Sequence, residues 1–382
     1  MKSTTLFLSL LSVFFTASAA SSHHQHRAAR ASCSNGRTAK SAQCCVWYDV
    51  LDDLQANLFE GGQCLEDAHD ALRLSFHDAI GYSPALKSRG QFPGGGADGS
   101  IIAFSDVELT YGANDGLDEI VDDERKLADK YGVSYGDMIQ FAAAVSVRNC
   151  PGGPLIPFLA GRPHAIKPAP EGLVPEAFDS VTKMINRVND AGLTADELVD
   201  LLASHSIGQQ ETVNPSIKGT PFDSTPSVLD TNFFLETMLR GTLWPGDGPH
   251  KGEVRAPFIG RFRLQSDWAL ARDPRTSCRW QGYINDQPTM SSRFGVAMAK
   301  MALLGQKSSI LTDCSEVIPP PTETAPKKAK LPEGKTVMDL ELNHFCRNPG
   351  SGFSLPGGFN LGSLADVDLK HLPDAIAKLL HL

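Results

Sequence analysis

The chain lacks an N-x-S/T sequon, because its nearest approach, Asn214, is followed by Pro215, and proline there spoils the glycan acceptor. Period-two alternation of apolar residues is almost absent, which excludes a sheet-dominated domain. Beyond a short run near the start, no apolar stretch approaches the length needed to span a bilayer. A cationic excess is missing too. Lys and Arg number 35 against 44 Asp and Glu, leaving a net charge of −9, and that acidic balance argues against nucleic acid or membrane as partners. None of the eight cysteines forms a C-x-x-C pair, so a zinc site of ordinary spacing is not expected.

What is present begins with residues 1–20, MKSTTLFLSLLSVFFTASAA, which read as a secretory signal peptide: Lys2, an apolar run and small residues at its end. Residues 21–30 then read as a propeptide ending at Arg30. A secreted, extracellular chain is expected, with all eight cysteines in its mature part, and an even number there suggests a disulfide framework. Cys44 and Cys45 are neighbours. Their Cα atoms lie about 3.8 Å apart, below the usual bridging range of about 4.4–6.8 Å. Each should therefore pair outward.

Apolar spacings of three and four predict helices over 45–58, 64–78, 117–130, 137–147, 178–190, 195–205, 231–240 and 292–304. Ser134 and Thr194 sit where N-caps belong. The expected class is mainly α with long structured loops. Chain length exceeds a comfortable single core, which suggests two helical lobes around a shared site: 31–174, then 175–320, with 321–382 as a C-terminal extension. Residues 161–176, proline-rich and non-periodic, read as the crossing between lobes.

Within DALRLSFHD (residues 70–78), Arg73 and His77 are four residues apart, which on a helix puts both on one face. His77 offers a neutral base, and Arg73 a cation that keeps its proton. A second histidine, His205, stands alone in the apolar frame DLLASHSIG. A base, a fixed positive charge and a distant single histidine suit cleavage of a peroxide O–O bond over haem iron. A zinc hydrolase fits poorly, since neither histidine has another at ligand spacing. A secreted haem- or calcium-binding protein without turnover is the alternative from another class.

The ordered motifs RLSFHD, GGGADGS, LLASHS, PFDSTPSVLD and QSDWALARDPRT, with the eight cysteines, resemble the secreted fungal class II haem peroxidases, the group of lignin, manganese, versatile and generic peroxidases. The resemblance covers roughly residues 31–346 and implies two helical domains, distal and proximal, sandwiching haem b. It also implies a monomer that uses H2O2 to oxidise small phenolic and lignin-related donors. On this likeness the bridges are Cys33–Cys45, Cys44–Cys314, Cys64–Cys150 and Cys278–Cys346. His77 matches the distal base and Arg73 its cationic partner. Asn114 is the acceptor that holds His77 neutral, Glu108 belongs to the supporting network, and Phe76 is a pocket wall. His205 matches the proximal iron ligand, with Asp267 orienting it and Phe222 packed nearby. Two Ca²⁺ sites follow: Asp78, Gly96, Asp98 and Ser100 for one, and Ser206, Asp223, Thr225, Val228 and Asp230 for the other. Oxygen donors of this kind are what hard calcium requires.

Two departures bear on subtype. Lignin and versatile peroxidases carry a surface tryptophan five residues before the proximal histidine, where this chain has Asp200. Long-range oxidation of bulky donors by that route is not expected, and Trp244, Trp268 and Trp280 are expected to be buried structural residues. Manganese peroxidases hold Mn²⁺ with three carboxylates, matched here by Glu66, Asp70 and Glu211. The second is a methylene shorter than usual and the third a methylene longer. Two readings follow: oxidation of chelated Mn²⁺ at an atypical site, or generic phenol oxidation without Mn²⁺ turnover.

Overall fold

The computed structural model describes residues 30–321 and 328–341, together with the backbone of 354–355 and 359–360. The expected signal peptide, most of the propeptide, Cys346 and the C-terminal amphipathic tail lie outside the described residues. Within them the chain is mainly α-helical, and each β-strand is only two residues long. No helix among them is long and apolar enough to cross a membrane.

In the first half, helix α1 (Val46–Asp53) runs on into a wider π-turn, Leu54–Leu58. Helix α2 (Glu66–Ala79) follows, with Glu66 and Asp67 in its first turn, where negative charge complements the helix dipole. Helix α3 (Asp118–Tyr131) ends at Gly132 in the left-handed conformation, and α4 (Tyr135–Asn149) is capped by the Ser134 hydroxyl, which accepts the Asp137 N–H. Every residue of α4 from Gly136 to Asn149 is buried, marking it as the central helix of this half. Helix α2 packs most extensively on it. Ala68, Ala71, Leu72, Leu74 and Ser75 of α2 are buried, while Asp70, Arg73, Phe76 and His77 stay half-buried and Glu66 is exposed. Trp47, Phe141 and Phe158 close the core beneath, with ring centroids 4.6–4.9 Å apart.

The segment 161–176 forms no regular element. Its start is pinned by Asp137, which accepts the Gly161 N–H at 2.7 Å and pairs with the buried Arg162 guanidinium at 2.8 Å. Beyond it come α5 (Val181–Ala191) and α6 (Ala195–Leu201), the latter opened by a reciprocal capping box between Thr194 and Glu197. Helix α6 tightens into a 3-10 stretch, Leu202–Ile207, that carries His205. Helices α7 (Asn232–Thr237), α8 (Gln265–Leu270), α9 (Ser277–Tyr283) and α10 (Gln287–Met301) complete this half. Phe233, Phe234, Trp280 and Tyr283 form its aromatic core.

Cys33–Cys45, Cys44–Cys314 and Cys64–Cys150 are bonded, with Cα separations of 5.3, 5.3 and 4.7 Å. Cys278 is also disulfide-bonded. The predicted helices are present with ends shifted by a few residues, except that the last begins earlier, at Gln287. Pro288 occupies its first turn, where a missing N–H costs nothing. Helices α8 and α9, six and seven residues long, are not foreseen, because Ser266, Asp267, Ser277 and Gln281 on their buried faces break the apolar stripe.

Candidate functional site

Helix α2 places Arg73 and His77 on its half-open face, as their spacing requires. His77 Nδ1 lies 2.9 Å from Asn114 Oδ1. The amide cannot turn round without loss, because Asn114 Nδ2 donates to the Glu108 carbonyl at 2.9 Å. Its oxygen therefore faces the ring, Nδ1 carries the hydrogen, and Nε2 keeps its lone pair. Burial, and then the nearby Arg73 charge, lower the His77 pKa to about 3 against the opposing pull of Asn114. The imidazole is thus neutral throughout the physiological range.

Arg73 donates Nη2 to the carbonyls of Asp115 at 2.8 Å and Ala113 at 3.5 Å. The short 3-10 turn Gly112–Asn114 and its C-cap Asp115 therefore hold both members of the pair, one through the Ala113 and Asp115 carbonyls and one through the Asn114 amide. Glu108 is itself buried, and its Oε1 accepts the Ala169 N–H at 2.9 Å. Phe76 presents its ring edgewise to His77, centroids 6.1 Å apart.

In the other half His205 Nδ1 stands 2.9 Å from Asp267 Oδ2. Asp267 is 1% exposed, so a ring N–H donated to it sets the tautomer and leaves Nε2 as the available ligand atom. Phe222 and Phe233 flank the ring, centroids 5.0 and 5.6 Å away. A small pocket of mixed lining, Glu236, Thr237, Arg261 and Arg263 beside Phe222, Phe233 and Phe262, opens near Asp267, and His205 itself does not line it. Aromatic walls and one oriented imidazole fit a flat, apolar, metal-bearing ligand such as haem.

Two oxygen-rich clusters flank these histidines. Asp78 Oδ2 accepts the Gly99 N–H at 3.0 Å, and Asp98 Oδ1 accepts the Ser100 N–H at 3.1 Å. Asp78 Oδ1 and the Ser100 hydroxyl are buried without any hydrogen-bond partner. Burial pushes the Asp98 carboxyl up to about 6, and burial plus the Asp98 charge hold Asp78 well above the usual carboxylate range. Gly96 and Gly99, both at positive φ, let the loop fold in tightly: a Cβ on Gly96 would fall 2.1 Å from the Leu304 carbonyl oxygen. In the second cluster Thr225 N–H donates to Asp223 Oδ1 at 2.7 Å, and Thr225 Oγ1 to Asp230 Oδ1 at 3.1 Å. Ser206 Oγ donates to the Val228 carbonyl at 3.1 Å. Asp223 Oδ2 is buried and unpartnered. Burial and the Glu236 charge hold this carboxyl well above its usual range. Orphaned, desolvated oxygens in both places fit a hard cation.

The acids Glu66 and Asp70 share the α2 face with Arg73, and Glu211 comes to them from the far half. Asp70 is pushed up to about 7 by burial, with Glu211 and Glu66 adding to the rise and Arg73 resisting it. Among the described residues, however, no group of three or more His, Cys, Asp or Glu side chains is disposed to hold a metal ion. One neighbour of this face was not legible in the sequence: Lys218 Nζ lies 3.4 Å from Glu211 Oε2. The hairpin that brings it there is signalled only by Pro215 and Gly219.

Asp200 is buried, clasped by Arg279 through Nε and Nη2 at 2.7 Å each and by the Tyr283 hydroxyl. It ties α6 to α9. Trp280 is fully buried and donates to the Phe234 carbonyl at 3.0 Å. Trp244 and Trp268 depart from the expected burial: both are half-buried, each under an arginine guanidinium, Arg255 and Arg272. Capping by a cation leaves part of the ring in water while covering its face.

Residues 50–286 match the family model described as Peroxidase, and residues 289–349 that of the Fungal peroxidase extension region. Among curated relatives, versatile peroxidase VPS1 of Pleurotus eryngii is 51% identical over 82% of this chain and 84% of its own length. Ligninase B of Phanerodontia chrysosporium is 49% identical over 82% and 85%. A peroxidase of Coprinopsis cinerea is 48% identical over 81% and 85%.

Proposed function

This chain belongs to the secreted fungal haem peroxidases, enzymes that work with H2O2, and from that premise we propose that it oxidises small phenolic donors by one-electron steps, with His77 as its acid–base group. Membership implies haem and calcium as cofactors. The observation that carries this reading is the 2.9 Å contact between His77 Nδ1 and Asn114 Oδ1, one helical turn from Arg73.

Haem, when bound, supplies an iron centre that removes two oxidising equivalents from H2O2 and passes them singly to donors. The residues around it do the rest. His77 Nε2 takes a proton from one oxygen of H2O2 and delivers it to the other, so that water leaves rather than hydroxide. Asn114 keeps the ring in the tautomer that allows this. Arg73 stabilises negative charge on the departing oxygen, and Phe76 walls the pocket. His205 would hold the iron through Nε2. Asp267 strengthens that donor, and Phe222 packs beside it. Residues 31–174 and 175–320 are then the distal and proximal domains. Asp78, Gly96, Asp98 and Ser100 would hold one Ca²⁺, and Ser206, Asp223, Thr225, Val228 and Asp230 the other. Asp78 adjoins His77 and Ser206 adjoins His205, so each ion would brace the turn that bears a working histidine. The second reading is oxidation of chelated Mn²⁺, which would approach by Glu66, Asp70 and Glu211. The rise of the Asp70 carboxyl, caused by burial with Glu211 and Glu66 adding to it, supports their proximity.

The test is reconstitution with haem in the oxidised protein. Soret absorption and H2O2-dependent phenol oxidation are expected, and His205→Ala should lose normal axial ligation. A protein that keeps unchanged ligation without His205 would contradict the assignment. The acid limb is a further expected result. Because only the neutral ring can accept the proton, and His77 charges only near pH 3, the reaction with H2O2 stays fast as pH falls and drops below about 3. A stopped-flow profile breaking instead near the ordinary histidine value of about 6.5 would show that His77 is not shielded.

A further inference from the structure

The acidic face is not simply open to divalent cations, because the chain supplies a cation of its own. Glu211 is 8% exposed. Its Oε1 accepts Gln209 Nε2 at 2.8 Å, while buried Oε2 has no hydrogen bond and pairs with Lys218 Nζ at 3.4 Å, with the Arg73 charge also within electrostatic reach of Glu211. Glu66 and Glu119 are within electrostatic reach of the same ammonium.

The backbone under Lys218 is held by the hairpin. Gln209 and Gln210 pair with Pro221 and Thr220. Gly219 N–H donates to the Gln210 carbonyl at 2.9 Å, and the Gln210 amide donates to Asn214 O at 3.0 Å and Ile217 O at 2.6 Å. Thr220 Oγ1 closes on the same Ile217 carbonyl at 2.6 Å. Gly219, at φ +77°, makes the turn that returns Lys218 to Glu211. Register, rather than chance encounter of a long side chain, sets the charge there. The consequence is for binding.

We propose that Lys218 is a specificity-determining residue: its ammonium serves as the resident counter-ion of Glu211 and disfavours divalent cations at the face formed with Glu66 and Asp70, biasing the enzyme toward phenolic donors. The inference rests on reading those three acids as the cation-facing side of the site. A unit charge and a divalent ion about 5 Å apart repel enough, even at the dielectric of water, to weaken binding about tenfold.

The experiment titrates the resting holoprotein with MnCl2 at low ionic strength, reading free Mn²⁺ from its EPR signal. Lys218→Met should bind about tenfold more tightly than the parent, Lys218→Gln likewise, and Lys218→Arg no more tightly than the parent. Adding Glu211→Gln to Lys218→Met should erase the gain. Equal affinity in the parent, Lys218→Met and Lys218→Gln, including no binding by any, overturns the proposal. So does a gain in Lys218→Arg matching that in Lys218→Met, which would make side-chain shape rather than charge responsible. Phenol oxidation by the parent is measured separately. Its failure would count against the peroxidase reading and leave the Mn²⁺ titration to judge Lys218.

Discussion

Replacing His77 by alanine is expected to slow the reaction with H2O2 by about 10²–10⁴-fold, the usual contribution of one positioned acid–base group, while haem remains bound. The loss is large because one nitrogen serves twice. Nε2 removes a proton from a weakly acidic peroxide and then protonates a poor leaving group, and the other imidazole of α2, His69, stands two turns away against Cys64 Sγ at 3.7 Å. Arg73, bonded to the carbonyls of Ala113 and Asp115, keeps its charge and cannot take over as base. Asn114→Ala should act in the same direction but less severely, since the ring loses its tautomer control rather than its lone pair. The measurement is the second-order rate with H2O2 under stopped flow, with the Soret band confirming cofactor content. A His77→Ala protein reacting at the parent's rate would remove His77 from the mechanism.

Withdrawing calcium should have the second largest effect, this time on stability. Asp78 Oδ1, Ser100 Oγ and Asp223 Oδ2 are buried without partners, and a desolvated carboxylate left without a counter-charge is strongly disfavoured. An ion that binds the folded chain alone stabilises it by mass action, about 2.7 kcal/mol per site when free calcium exceeds the Kd a hundredfold. Thermal unfolding after chelation should therefore move to lower temperature, and recover progressively with added Ca²⁺. The reaction with H2O2 should weaken in parallel, because Asp78 follows His77 directly in α2. An unfolding temperature indifferent to both chelator and calcium would mean that the two clusters are merely desolvated acids. Asp78→Ala and Asp223→Ala separate the sites, and each should abolish one part of the calcium response.

Much of this architecture is legible before any coordinates. Helices such as 64–78 and 117–130 announce themselves because a buried stripe must recur with the helical period. Ser134 and Thr194 mark helix starts because a hydroxyl satisfies N–H groups that the helix itself cannot. The Arg73–His77 pair is a local matter for the same reason. Contacts across long sequence separations are another matter. Asn114 is 37 residues from His77 and Asp267 is 62 from His205, and only likeness to a family suggested them. Helices α8 and α9 escaped because their buried faces carry polar residues, Ser266 and Asp267 in one and Ser277 and Gln281 in the other, so no apolar stripe shows. Asp200 could be read only as a missing tryptophan, and its grip on Arg279 and Tyr283 was invisible.

From its own residues the chain therefore declares most of its helices, its caps and the paired groups of α2, since each depends on neighbours within a turn or two. Which charges meet was left to the folded molecule. The orphaned oxygens of Asp78 and Asp223, and the ammonium of Lys218 set against Glu211, arise from packing and hairpin register. Electrostatic energy depends on separation in space and on exclusion of water, and neither quantity is written in the order of residues along the chain.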